Sequence, residues 1–253
     1  MVAADLAGGA ALPDAERRAA LGEALRGVRS KIAQAALRVG RDPGCVRLVG
    51  VTKGTAVADA ALAVAAGLAD LAESRVQEAL PKLAVLPEAR WHWIGRLQRN
   101  KAAAVVGRFA LVHSVDRLGL AERLEAAAER LGCVQPLLLQ VDLAGRPGQG
   151  GVPAGDAHAL LLQMRGLPHL RVRGLMTIAP PAEHPEEVRP VFAALRGLRD
   201  RLQEAAGCAL PELSMGMSAD YPVAIEEGAT LVRVGRAIFG QAAHPGASLR
   251  DAP

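Results

Sequence analysis

Val46-Arg47-Leu48-Val49-Gly50-Val51-Thr52-Lys53-Gly54 reads as one short strand, nearly continuous in apolarity, that ends on a lysine and a turn glycine. Such a run, without polar alternation, is the pattern of a parallel strand covered on both faces. Seven more runs of this kind follow, at 68–74, 90–94, 110–115, 136–142, 172–178, 212–218 and 231–234. Between them apolar residues return at three and four, as at 56–66, 117–131, 156–164 and 186–206, which predicts amphipathic helices. Asp14 is placed to cap a leading helix over about 14–39, closed by Gly40 and the turn at 41–44. Eight strands alternating with helices predict an α/β fold, a single (β/α)8 TIM barrel with an additional N-terminal helix. The chain, 1–253, is expected to be one domain, with the barrel at about 46–241. An open doubly wound sheet is the alternative, and the lack of Gly-x-Gly-x-x-Gly after the first strand counts against it. No Pro/Gly/Ser linker divides the chain, and 144–151 is expected to be its most flexible stretch.

Lysine is scarce here. Of 30 basic residues only Lys31, Lys53, Lys82 and Lys101 are lysines. Where a bare positive charge suffices this composition uses arginine, so a lysine at a strand end points to a need for the amine itself. A guanidinium is never a neutral nucleophile at working pH, whereas a desolvated amine is, and it condenses with a carbonyl. The plainer reading is a strand-capping lysine whose head reaches water.

Other function classes are narrowed by composition. Hydrophobic residues make up 51% of the chain but aromatics only 2%, so the core must be built from Ala, Val, Leu and Ile. The net charge of +4 is small and dispersed, with no basic block or aromatic series, so nucleic acid is not an expected partner. No apolar stretch approaches the ~18–20 residues that span a bilayer, so no membrane association is expected. The segment 1–13 is apolar but carries Asp5 and no early basic residue, which argues against a signal peptide. Cys45, Cys133 and Cys208 have no metal-like spacing and are expected to be small core residues in a reducing cytoplasm.

Active sites of such barrels lie at the C-terminal strand ends. Read in order, those ends carry Lys53, Glu73-Ser74, His92 with Gly95, Asp116, Asp142, Thr177, Ser218 and Arg233-Val234-Gly235-Arg236. No His/Asp/Glu set has convincing metal spacing, so no metal is expected, and no Ser-His-Asp order is supported. Ser214-Met215-Gly216-Met217-Ser218 offers a glycine and two hydroxyls, and Gly235-Arg236 opens a short helix at 237–240. Barrels often bind phosphate at the loops after strands seven and eight, though glycines serving only tight turns are the plainer reading. A phosphate site beside a lysine on the first strand suits a phosphorylated carbonyl compound, and pyridoxal 5′-phosphate (PLP) has both ends. His92, between Trp91 and Trp93, is read either as a core or rim histidine or as a ligand contact, with both tryptophans facing the helical shell. Glu73 is expected to fix neighbouring side chains. Gln98-Arg99-Asn100-Lys101 starts a helix on the ligand face, as a solvated surface or as a partner or phosphate patch.

Five motifs in order carry a family resemblance. Val49-Gly50-Val51-Thr52-Lys53, Trp91-His92-Trp93-Ile94-Gly95-x-Leu97-Gln98-x-Asn100-Lys101, Arg173-Gly174-Leu175-Met176, Ser214-Met215-Gly216-Met217-Ser218-x-Asp220 and Val232-Arg233-Val234-Gly235-x-Ala237-Ile238-Phe239-Gly240 closely resemble the pyridoxal phosphate homeostasis protein family. The resemblance runs from about residue 48 to residue 240. It implies a barrel like the N-terminal domain of bacterial alanine racemase, binding PLP without known turnover. On that resemblance Lys53 is the Schiff-base lysine, Ser218 with the Gly235 and Arg236 amides the phosphate cradle, and Arg233 the partner of the pyridine nitrogen. Ser74, His92 and Met217 complete the expected cofactor contacts, and no catalytic residue is assigned. Three positions depart from the pattern. Ala72-Glu73-Ser74 stands where the family has Gly-Glu-Asn, so a hydroxyl replaces an expected amide. Arg236 stands where Thr or Ser is usual, and Gln149 where a loop lysine is common.

The leading expectation is therefore a cytoplasmic, monomeric PLP-binding protein that holds its cofactor as a lysine aldimine. It would buffer PLP, or deliver it to apo PLP-dependent enzymes, within vitamin B6 homeostasis. A racemase-like PLP enzyme is the alternative. Racemisation needs an acid/base on each face of the substrate carbon; racemases draw the second, a tyrosine, from a further domain, and Tyr221 is expected only to fix its loop. An arginine at the ring nitrogen can only donate, so it stabilises a carbanion poorly. A lysine-dependent aldolase for a sugar phosphate is a third reading, which would lack the yellow aldimine chromophore.

Overall fold

The structure, a computed structural model, describes residues 14–145 and 148–240. The segment weighed as a signal peptide lies outside the described residues, as do Arg146 and Pro147 of the loop expected to be flexible. Eight parallel strands form the central sheet: β1 (Arg47–Val51), β2 (Asp70–Glu73), β3 (Arg90–Trp93), β4 (Leu111–Val115), β5 (Gln135–Asp142), β7 (Leu170–Met176), β8 (Glu212–Ser214) and β9 (Leu231–Val234). A two-residue strand, β6 (Val152–Pro153), adds to the end of β5. The order is β4-β3-β2-β1-β9-β8-β7-β5, and β4 also pairs with β5. That last pairing closes the circle and rules out an open sheet: the fold is the predicted (β/α)8 TIM barrel with a leading helix.

The helices are α1 (Asp14–Arg38), α2 (Val57–Ala65), α3 (Val76–Val85), α4 (Ala102–Val105), α5 (Leu118–Leu131), α6 (Ala157–Arg165), α7 (Arg189–Ala206), α8 (Tyr221–Glu226) and α9 (Arg236–Phe239). In α1, Leu21, Leu25, Val28, Ile32 and Ala35 recur at four and three and are all buried. This stripe faces α8 and α9, and each fully buried leucine contributes roughly 1.5–3 kcal/mol. Arg17 adds a bidentate bridge to Asp59 on α2, at 2.9 and 2.7 Å.

Strand alternation sorts the residues into two apolar clusters. Val49, Val51, Ala72, Leu111, Leu138, Met176 and Leu231 form the small cluster inside the barrel. The large one lies between barrel and helices and contains Trp91 and Trp93, as predicted. Their indole N–H groups donate to the carbonyls of Leu86 (3.0 Å) and Gly95 (2.8 Å), so neither buried donor is orphaned.

Two expectations are corrected. The seventh barrel strand, β8, stops at Ser214, not at 218, because Gly216 takes φ +90° and the chain turns. Cys133 and Cys208 do pack on the outer core, but Cys45 is exposed at the end of a one-turn helix, Pro43–Cys45, before β1. No helix among the described residues is long and apolar enough to cross a membrane.

Candidate functional site

Lys53 leaves β1 in the turn Thr52–Thr55, closed by the Thr55 N–H on the Thr52 carbonyl (2.9 Å), and its side chain is exposed at the barrel mouth. The turn is clamped from below. The Thr52 hydroxyl lies 2.8 Å from Glu73 Oε1 and 3.1 Å from the Ala72 carbonyl. Lys82 Nζ donates to the Thr52 carbonyl (2.6 Å) and to Glu73 Oε1 (2.5 Å), with side-chain exposures of 5% and 0% for the pair. Glu73 Oε2 also accepts from the Ser74 N–H at 3.1 Å. Beyond Lys53, the Gly54 N–H donates to Glu78 Oε2 (2.9 Å), a bond that with Arg75 holds the Glu78 carboxyl below its ordinary range despite burial. Glu73 thus fixes its neighbours, as its sequence position indicated.

Lys82, which clamps the turn that carries Lys53, is the residue of this region that the sequence reading missed. It points inward from α3, on the same face as Ala79 three residues before it. The signal was present, since lysine scarcity marks Lys82 as much as Lys53.

The register of β1 with β9 pairs Gly50 with Val234, which sets Gly235 beside the end of β1. A Cβ on Gly235 would lie 3.2 Å from the Val51 carbonyl oxygen, so the two segments are in contact just below Lys53. The N–H groups of Gly235 and Ala237 both point at the half-buried Ser218 hydroxyl, at 3.3 and 3.4 Å. Ser218 is brought there by Gly216, where a Cβ would meet the Ala224 Cβ at 2.6 Å in a left-handed backbone. The Met217 N–H donates to Asp220 Oδ1 (2.6 Å), while the Met217 side chain and Arg236 are exposed.

Arg233 is buried two residues before Gly235, and its guanidinium donates to Ser214 Oγ (2.5 Å) and the Thr177 carbonyl (2.8 Å). Burial lowers its pKa to about 10, with Asp220 opposing, so it stays cationic at neutral pH. Ser74 is half-buried at the mouth, its backbone so close to Gly95 that a Cβ there would lie 2.3 Å from the Ser74 carbonyl oxygen.

The structure brings Lys53, Ser74, Met217, Ser218, Gly235 and Arg236 to the strand-end ring, and His92 to the barrel interior. There His92 is 2% exposed, with Nε2 2.9 Å from Asp70 Oδ1 and Nδ1 3.0 Å from His113 Nε2. Other strand-end groups shape loops: Asp142 accepts from the N–H groups of Ala144 and Gly145, Asp116 from that of Gly151, and Gln149 donates to the Ile178 carbonyl. The Gln98–Lys101 segment borders a groove of about 730 Å³ that opens from Ser74 and is lined by Arg75, Arg96, Arg99, Lys101 and Arg117. No group of three metal-binding side chains occurs among the described residues.

An exposed amine, converging backbone N–H groups and a buried guanidinium, all at the mouth of one parallel barrel, define a class of binding barrel. Residues 27–243 match the family model described as alanine racemase, N-terminal domain. An alanine racemase of Clostridium difficile 630 shares the fold, with a TM-score of 0.71 at 16% identity over 90% of this chain and 58% of that one. The pyridoxal phosphate homeostasis protein of Aquifex aeolicus is 43% identical over 87% of this chain and 97% of its own length. That of Escherichia coli K12 is 37% identical over 84% and 93%. PipY of Synechococcus elongatus PCC7942, solved with PLP bound, has a TM-score of 0.78 and 41% identity over 87% of this chain and all of its own. The chain belongs to the pyridoxal phosphate homeostasis protein family.

Proposed function

We propose that this protein binds PLP at the barrel mouth as an aldimine of Lys53 and takes part in intracellular PLP homeostasis, holding the cofactor and passing it to apo PLP-dependent enzymes. The observation that carries the reading is the contact of Gly235 with the end of β1. It brings the chain just before Lys53 beside the N–H groups that point at Ser218, with buried Arg233 two residues earlier on β9. These donors suit a phosphorylated aldehyde that also carries a ring nitrogen: Lys53 takes the aldehyde carbon, with loss of water. Ser218 and the Gly235 and Arg236 amides take the phosphate, and Arg233 faces the ring nitrogen. Ser74 and Met217 border the cofactor at the rim, while His92 acts at one remove. PLP bound in PipY supports the ligand.

Holding and releasing, without sustained turnover, suits the same residues. Lys53 and Arg236 are exposed, so water and a recipient reach the imine. The chain's single tyrosine, Tyr221, is 3% exposed and burial raises its pKa, so it supplies no second base at the mouth. The reading is tested by titrating the protein with PLP, reducing with borohydride and mapping the modified peptide. A yellow chromophore and label on Lys53, both lost in Lys53→Ala with unchanged melting temperature, are expected. Label on Lys31, Lys82 or Lys101 would overturn the site.

A further inference from the structure

We propose that the buried chain Asp70–His92–His113–Ser214 is a positioning device that holds the Arg233 guanidinium against the cofactor's ring nitrogen, with His113 as its central link. The proposal rests on the reading of Arg233 as the ring-nitrogen partner.

The four residues come from β2, β3, β4 and β8, and Arg233 from β9, so the chain crosses the barrel interior. Its spacings are 2.9 Å from Asp70 Oδ1 to His92 Nε2, 3.0 Å from His92 Nδ1 to His113 Nε2 and 2.8 Å from His113 Nδ1 to Ser214 Oγ. It ends at 2.5 Å on Arg233. Asp70, at the far end, is held by Arg90 at 3.0 and 2.7 Å.

One polarity satisfies every link. A guanidinium only donates, so Ser214 Oγ accepts from Arg233. The serine has one proton left, and His113 Nδ1 is its only other partner among the described residues. If His113 accepts there, its proton sits on Nε2 and goes to His92 Nδ1. His92 then donates from Nε2 to the Asp70 carboxylate. The opposite polarity would leave the Ser214 hydroxyl proton unpaired at a residue with no exposure, which is costly. Burial, with His92, Arg233 and Arg47 nearby, keeps His113 well below its ordinary pKa, in agreement with an accepting Nδ1.

The consequence is directional. Asp70 and Arg90 anchor the base, each imidazole is committed at both nitrogens, and Ser214 presents its lone pair to Arg233 in one place only. Together with the Thr177 carbonyl it leaves the guanidinium little freedom to turn. The remaining guanidinium N–H groups are then held in one orientation before any ligand arrives, which is what preorganisation requires.

Two experiments test this. In the protein without cofactor, nitrogen-15 NMR of labelled histidine should show His113 protonated at Nε2 and bare at Nδ1; the reverse tautomer overturns the proposal. The second compares PLP with its deaza analogue, which has C–H in place of the ring nitrogen, in His113→Leu and His113→Gln. Glutamine accepts at one atom and donates from another, so it preserves the polarity, whereas leucine breaks it. His113→Leu should weaken PLP roughly tenfold, the loss of about one charge-assisted bond, and barely affect the deaza analogue. His113→Gln should stay near the parent with both. Equal losses for the two ligands in His113→Leu would mean a packing defect, and no loss would mean no link; either overturns the proposal. A parent that binds PLP and the deaza analogue equally would overturn the Arg233 assignment itself, and label away from Lys53 would separately overturn the proposed site.

Discussion

Lys82→Met should destabilise the protein strongly and loosen the turn that presents Lys53. In the parent, Glu73 is wholly buried, and Lys82 is its only charged partner among the described residues. Methionine fills a similar volume but leaves that carboxylate with one hydroxyl and one N–H as donors. Breaking a buried pair from one side costs about 3–5 kcal/mol, because the abandoned charge remains desolvated. At roughly 2–4 °C per kcal/mol for a chain of this size, the melting temperature should fall by about 6–20 °C. The Thr52 carbonyl loses its 2.6 Å donor as well, one residue before Lys53. The double variant Lys82→Met/Glu73→Gln removes the stranded charge and should recover a large part of the loss. The assay is thermal unfolding of parent, both single variants and the double, followed by PLP titration of whichever remain folded. A melting temperature within about 2 °C of the parent for Lys82→Met would refute the reasoning, since that corresponds to less than about 1 kcal/mol.

Ser218→Ala should weaken PLP binding roughly tenfold, the value of one charge-assisted hydrogen bond, and pyridoxal without phosphate should bind poorly to the parent; equilibrium titration followed by absorbance checks both. Burial raises the Asp70 carboxyl, but the bonds from His92 and Arg90 outweigh it and depress the folded pKa below the ordinary 3.8. The stability this contributes is therefore present above that unfolded value and lost as pH falls through the folded one, so urea unfolding should show Asp70→Asn at its greatest disadvantage at about pH 5 and closer to parity near pH 3. Holo-protein incubated with L-alanine should form no steady stream of D-alanine, while an apo-transaminase added in parallel should gain activity; chiral chromatography and a coupled transaminase assay read the two outcomes.

What sequence could show, and what it could not, follows from the range of each signal. Parallel burial and helical spacing are local, so the eight strands and the longer helices were legible from runs of a few residues. α3 was harder to see, because Pro81 interrupts its interior, and α4 and α8 are too short to show a period. The place of Lys53 at the barrel mouth was legible because a strand end and a scarce residue type coincide. On β3, the alternation Trp91, His92, Trp93 correctly sends the two indoles outward, and the imidazole between them must then face in. Yet nothing local distinguishes an inward histidine that touches a ligand from one that touches another strand. His92 meets His113 twenty-one positions away, and His113 meets Ser214 across one hundred and one, contacts that exist only once the barrel has closed. Each of these residues alone is an unexplained polar group in an apolar strand, and each would be costly to bury alone. Five of them on five strands are tolerable only as a connected chain. A polar residue at an inward strand position is thus a prompt to look for the others before any one is assigned to the ligand. By that reasoning His92 belongs with Arg233, which it reaches through His113 and Ser214.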